Sequence, residues 1–210
     1  KTSVPSNHDT VTRRTGVAFA EAINPGPGGA ATEFILTIQD PANWQDIDLL
    51  LERFAHDHPL VEPARVVAIE LSLDAYSRTG NKADLAAMTY HFYRGAQFMC
   101  SDERRISRGP RDTFSLKSHR LRTVHIDQGY SIYIGHRDDD IKQRLYLKQT
   151  TYEAKDVVPL PTAQHRARTE ITLKGQALPV AELDAWKPYK FERFARYFKF
   201  QVEKPELGVL

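Results

Sequence analysis

The sequence predicts an α+β fold, an antiparallel-dominated β-sheet with helices packed on one face. Three observations carry this. Residues 65–76, 129–148 and 165–175 alternate polar and apolar side chains, the period of two that belongs to strands. Residues 44–54 and 85–96 repeat apolar side chains at helical spacing. The order β-β-α-β-α-β-β-β-β-α sets strands beside strands, which suits antiparallel pairing better than βαβ alternation.

Taken in order, residues 1–15 are polar and read as a loose arm, 16–200 as one α+β domain and 201–210 as a tail. Residues 16–24 and 32–39 read as a β-hairpin around Asn24-Pro25-Gly26-Pro27-Gly28-Gly29, strong turn chemistry. No Gly-Lys-Ser/Thr follows those glycines, so they are not a phosphate-binding loop. Asp40-Pro41 is expected to open a helix as cap and first-turn proline. That helix carries Trp44, Ile47, Leu50, Leu51 and Phe54 as its core stripe and ends near His58-Pro59. His56 and His58 bracket an aspartate at that end, where imidazoles suit the helix dipole rather than a metal.

A strand over 65–76 puts Ile69, Leu71 and Leu73 on one face and Glu70, Ser72 and Asp74 on the other. A helix from Asn81 buries Leu85, Met88 and Phe92. Residues 101–118 read as a basic loop broken by Gly109-Pro110, and 121–127 as a strand. Residues 129–148 read as a hairpin: Tyr133, Gly135 and Arg137 share a face on its first arm, and Arg144, Tyr146 and Lys148 on its second. Asp138-Asp139-Asp140 is its polar turn, and the second arm is expected to run on through Thr150 and Tyr152. The strand over 165–175 sets Arg168, Glu170, Thr172 and Lys174 opposite Ala167, Thr169, Ile171 and Leu173. A short helix over 180–186 and a helical aromatic stripe through Phe191, Phe194, Ala195 and Phe198 close the chain.

Composition narrows the chemistry. With 210 residues, 41% of them hydrophobic, the chain can bury a core without staples. The net charge of +2 names no partner. Its distribution says more: Arg104, Arg105, Arg108, Arg111, Lys117, Arg120 and Arg122 crowd one stretch, an electrostatic footprint that nucleic acid can read. The single cysteine, Cys100, excludes an intrachain disulfide and a cysteine metal cluster. No apolar run is long enough to span a bilayer.

Each polar strand face alone suits the solvated side of an antiparallel sheet. Together they place three carboxylates, several cations and a tyrosine on one surface. Carboxylates select a hard cation such as Mg²⁺ or Mn²⁺, and cations with metal suit a phosphodiester. A phenol attacks phosphorus once neighbouring positive charge favours its phenolate. Arg144, Lys148 and a metal are expected to supply that charge to Tyr146.

The spacing also resembles a known family. Tyr133-Ile134-Gly135-His136-Arg137, Arg144-Leu145-Tyr146-Leu147-Lys148 and Arg168-Thr169-Glu170 are similar to Tyr-x-Gly-Ser-Arg, Arg-Ile-Tyr-Asp-Lys and Arg-x-Glu of the replication initiation factor family. That family holds rolling-circle initiators of plasmids and filamentous phages and related conjugative relaxases. Ile69 to Asp74 resembles its Asp-x-x-x-Asp strand, with Glu70 in place of an aspartate; Leu147 replaces an acidic residue. The resemblance implies metal-dependent nicking and religation of origin DNA through a 5′-phosphotyrosyl intermediate. It makes Tyr146 the nucleophile, with Tyr152 as the alternative, and Glu70, Asp74 and Glu170 the ligands of Mg²⁺ or Mn²⁺. Tyr133, Arg137, Arg144, Lys148 and Arg168 would contact DNA or phosphate. It also implies DNA as the partner, single-stranded or as a supercoiled origin, a host helicase as a further one, and a bacterial cytoplasm as the setting. A second class fits the same residues: a non-catalytic nucleic-acid-binding module that stacks bases on Tyr133, Tyr146 and Tyr152.

Overall fold

The computed structural model describes residues 1–15, 19–97, 105–108, 113–115, 126, 129–136, 138–153 and 156–201. The fold is α+β, as expected, and groups into two compact units: Lys1–Val67 with Val180–Tyr189, and Ala68–Pro179 with Lys190–Leu210. The span expected as one domain, 16–200, therefore contributes to both. No Gly/Ser linker marks the crossings, because the chain passes directly from Val67 into a strand and returns at Val180. Among the described residues no helix is long and apolar enough to cross a membrane.

In the first unit, β1 (Ser6–Asn7) leads into α1 (His8–Thr15). These residues were expected as a loose arm; instead Val11 is fully buried and Thr2 bridges Leu60. Val11 is the one apolar residue of this eight-residue helix, and its burial, invisible to composition, docks the helix. β2 (Phe19–Ile23) pairs antiparallel with β4 (Glu33–Thr37), and β3 (Ala30–Ala31) with β1. Helix α2 (Trp44–Asp57) begins after the expected Asp40: Asn43 is its cap and accepts from the Asp46 amide, while Asp40 sits at φ +42° in the turn. Phe54 is its buried residue, packed on Val11 and Ala20, and His58 lies against the Phe54 ring at 5.1 Å. The short helix expected over 180–186 is confined to α4 (Leu183–Trp186), whose Trp186 is buried.

The second unit holds an antiparallel six-stranded sheet in the order β5-β12-β9-β8-β6-β7. These are β5 (Ala68–Ala75), β6 (Arg105–Arg108), β7 (Thr113–Ser115), β8 (Ser131–Ile134), β9 (Ile141–Lys148) and β12 (Arg166–Lys174). Residues 101–118 were expected as a loop; their described parts are the paired strands β6 and β7. The strand expected over 121–127 lies outside the described residues except for Ile126, which is helical and buried. Strand β9 stops at Lys148 rather than continuing. Thr150–Glu153 forms β10, which pairs with β11 (Asp156–Pro159) in a separate hairpin.

The alternation read from sequence sets the layers. Ile132, Ile134, Leu145 and Leu147 point to one side and pack with Leu85, Ala86 and Tyr93 of α3 (Lys82–Gly95). Each fully buried aliphatic side chain of that kind contributes about 1.5–3 kcal/mol. Asn81 caps α3 through the Ala83 amide at 2.9 Å. Gln143 falls on the core face and is satisfied there, donating to Thr169 Oγ1 at 2.9 Å. The aromatic segment near the C-terminus is a 3-10 helix over Phe191–Tyr197, not an α-helix: Phe194 and Tyr197, three apart, are both buried, while Phe191 in its first turn is exposed.

The three aspartates of the β8–β9 turn are structural. Asp139 accepts the His136 amide at 2.6 Å and Asp140 the Gln176 amide at 3.0 Å. Gly175, at φ +52°, follows β12 where an added Cβ would run into the Asp140 carboxylate. Gly175→Ala is therefore expected to lower stability by about 1–3 kcal/mol, from left-handed strain and displacement of the Asp140 carboxylate. A denaturant midpoint equal to that of the wild type would contradict it.

Candidate active site

The face of the six-stranded sheet opposite α3 carries the polar residues, and register places them in rows. Asp74, Arg168 and Tyr146 lie directly across from one another on β5, β12 and β9. Ser72, Glu170, Arg144 and Tyr133 form the next row, reaching β8, and Glu70, Thr172 and Lys142 a third. Residues directly opposite in antiparallel strands bring their Cβ atoms to roughly 5 Å, close enough to interact. Strand β12 is central, so Arg168 and Glu170 are buried at 7% and 4% exposure.

The sheet thus brings Tyr146, Glu170, Arg144, Arg168 and Asp74 into one network. The Tyr146 hydroxyl donates to Glu170 Oε1 at 2.6 Å. The Arg144 guanidinium stands 4.1 Å from the Tyr146 ring centre and 5.4 Å from that of Tyr133. Its Nε and Nη2 donate to Ser131 Oγ at 3.3 and 3.2 Å, and its Nη1 lies 3.5 Å from Glu170 Oε2. Arg168 donates Nε and Nη2 to the two oxygens of Asp74, each at 2.6 Å, a bidentate pair. Its Nη1 is 3.5 Å from Glu170 Oε1, and Arg166 Nε lies 2.9 Å from Asp74.

Of the other expected residues, Tyr152 stands apart from this network. Lys148 ends β9 opposite Arg166. Tyr152 belongs to β10, off the six-stranded sheet, opposite Val157. Arg137 lies outside the described residues. Two members escaped sequence reasoning, Ser131 and Arg166. Each sits two positions before a residue already placed on the polar face, so strand parity could have found both.

The electrostatics reverse one expectation. The Tyr146 phenol was expected to lose its proton readily beside cations; instead its pKa is raised. Burial is the main cause, followed by the negative charge of Glu170 and the hydrogen bond donated to it, against which Arg144 and Arg168 pull down without prevailing. The resting group is a phenol holding its proton against a carboxylate. For Arg168, burial works to lower the pKa, but the hydrogen bonds and charge of Asp74, with Tyr146 and Glu170 behind them, raise it.

Among the described residues no group of three His, Cys, Asp or Glu side chains gathers as a metal site. Of the three carboxylates expected as ligands, Asp74 is held by two guanidiniums. Glu70 and Glu170 fit a divalent ion better. Glu170 Oε2 is buried and accepts no hydrogen bond. The Glu70 pKa is raised, first by desolvation and then by the charge of Glu170, against which Arg144, Arg168 and a hydrogen bond with Thr172 pull down without prevailing, so the two carboxylates repel one another there. Two carboxylates suffice for Mg²⁺ when water and substrate phosphate complete its shell.

The Glu70 shift has a measurable sign. A carboxyl that binds its proton more tightly folded than unfolded makes stability fall as pH rises from the unfolded pKa through the folded one. Without metal, Glu70→Gln is expected to be more stable than the wild type at neutral pH, the difference vanishing as pH falls through that window. Urea midpoints across pH would show it; parallel profiles would contradict it.

No protein-family model matches the chain, and no curated protein or solved structure matches it either.

Proposed function

We propose that the protein is a metal-dependent, origin-specific DNA nicking and strand-transfer enzyme, a rolling-circle initiator or relaxase of the bacterial cytoplasm, with Tyr146 as its nucleophile. The observation that carries the reading is the Tyr146 hydroxyl donating to Glu170 Oε1 at 2.6 Å while the Arg144 guanidinium stands 4.1 Å from its ring. A hydroxyl nucleophile and an acceptor for its proton lie within hydrogen-bond reach. A fixed cation for the developing phosphate charge stands beside them.

Single-stranded origin DNA would lie along the polar sheet face, its phosphates drawn by Arg144 and Lys148. The Tyr146 oxygen attacks phosphorus as its proton passes to Glu170 Oε1. The bond to the 3′-oxygen breaks, and that oxygen takes a proton from solvent. The products are a free 3′-hydroxyl and a 5′-phosphotyrosyl link, and the reverse step rejoins the strand. Held by Glu70 and Glu170, Mg²⁺ or Mn²⁺ would supply positive charge that polarises the scissile phosphate. The free 3′ end would prime synthesis, with a host helicase opening the duplex ahead of it.

The test is incubation with supercoiled DNA that carries the cognate origin. Open-circular product with Mn²⁺, and none with a chelator, is the expected result. Binding of single-stranded DNA without any nicking would replace this reading with a non-catalytic nucleic-acid-binding module that uses the same face.

A further inference from the structure

We infer that Asp74 and Arg168 form an internal brace that turns the Glu170 carboxylate toward Tyr146, and that neither touches metal or DNA. The inference rests on the nicking reading for its consequence, but its geometry stands independently. Both oxygens of Asp74 are engaged at 2.6 Å by Arg168, and one of them also lies 2.9 Å from Arg166 Nε. A metal at Asp74 would have to displace a bidentate pair that is among the stronger charge-assisted contacts available. Arg168 is 7% exposed, and its three guanidinium nitrogens are directed at carboxylates: two at Asp74, and Nη1 toward Glu170 Oε1 at 3.5 Å. A phosphate outside the sheet meets Arg144, whose side chain is 38% exposed, rather than Arg168.

The brace has a direction. Asp74 draws the fork of Arg168 toward β5, which leaves one nitrogen facing the oxygen that accepts the Tyr146 proton. Without Asp74, Arg168 is free to close further on Glu170 Oε1 and take it from Tyr146, while Oε2 stays on the side of Arg144. Asp74 is thus a positioning residue that acts through Arg168.

Three measurements test this. In the wild type, the Arg168 Nε–H resonance is expected to exchange slowly and to stay in place when diamagnetic Mg²⁺ is added or removed. It should disappear in Asp74→Asn and return in Asp74→Glu. By calorimetry, Asp74→Asn should bind Mn²⁺ within about twofold of wild-type affinity, whereas Glu70→Gln should weaken it about tenfold or more. In DNA binding, Arg168→Lys should leave the salt dependence unchanged, while Lys148→Gln should reduce its slope by nearly one phosphate contact. On nicking, Asp74→Asn should lower kcat about tenfold or more with KM unaltered, and Asp74→Glu should recover much of it.

Loss of Mn²⁺ binding in folded Asp74→Asn would make Asp74 a ligand and overturn the inference. A lowered salt slope in Arg168→Lys, or a rapidly exchanging Arg168 Nε–H in the wild type, would do the same. A wild type that neither nicks nor binds Mn²⁺ would sink the proposed function instead, and the resonance of Arg168 would still decide the brace.

Discussion

Tyr146→Phe is expected to reduce origin nicking by at least about three orders of magnitude, the scale on which loss of a covalent nucleophile falls. The substitution deletes one oxygen and keeps the ring, so Arg144 retains its place 4.1 Å from the ring centre and single-stranded DNA binding should persist. It also removes the hydrogen bond to Glu170 at 2.6 Å, a bond to a charged acceptor worth about 1.5–3 kcal/mol. Stability should fall by roughly that much, and nicking must be compared at temperatures where both proteins are folded. Tyr152→Phe is the control: on β10, off the six-stranded sheet, its hydroxyl is expected to be dispensable. If Tyr152→Phe stops nicking and Tyr146→Phe does not, the two tyrosines exchange roles and the network around Tyr146 is structural.

Glu170→Ala is expected to cost about 3–5 kcal/mol, the range for removing one partner from a buried ionic network. Glu170 is 4% exposed, lies 3.5 Å from both Arg144 and Arg168, and accepts a hydrogen bond from the Tyr146 hydroxyl. Its removal leaves Arg144 with excess charge and the phenol without an acceptor. Glu170→Gln keeps the shape and should cost less, about 1–3 kcal/mol. It should still lose most nicking, because a neutral amide cannot take the phenolic proton. Chemical denaturation with a nicking assay at matched folded fraction separates the two effects. A fully active Glu170→Gln would remove Glu170 from proton transfer.

Strand parity made much of this site legible before any coordinates. Glu70, Ser72 and Asp74 share a face because a strand repeats every two residues, and so do Arg144, Tyr146 and Lys148; the register then joins those faces. What parity cannot supply is which residue stands opposite which. Asp74 read as a metal ligand because Glu70 shares its strand face and the stretch resembles the acidic strand of the replication initiation factor family. Its partner Arg168 is 94 positions away. The Tyr146 phenol read as activated because Arg144 and Lys148 are near in sequence, whereas the group at its hydroxyl is Glu170, brought in by β12. Burial, also invisible to a count of charges, is the largest cause of its raised pKa.

The fold follows the same division. The α+β class and the β8–β9 hairpin follow from periodicity. Helix α2 starts at Trp44 because Asn43, not Asp40, supplies the cap, and two polar residues three apart are equivalent to propensity alone. The aromatic segment 191–197 winds as a 3-10 helix with Phe194 and Tyr197 buried, and because i and i+3 share a face in either helix type, the spacing of the apolar residues did not distinguish the two.

The central claim is that the Tyr146 oxygen becomes bonded to DNA. The most direct measurement is mass spectrometry of the protein after reaction, in Mn²⁺, with a single-stranded oligonucleotide spanning the nick site. A peptide containing Tyr146 and carrying the 5′-phosphate of the downstream fragment is the predicted product. A cleaved oligonucleotide with no protein adduct, or an adduct on any other residue, would contradict the claim.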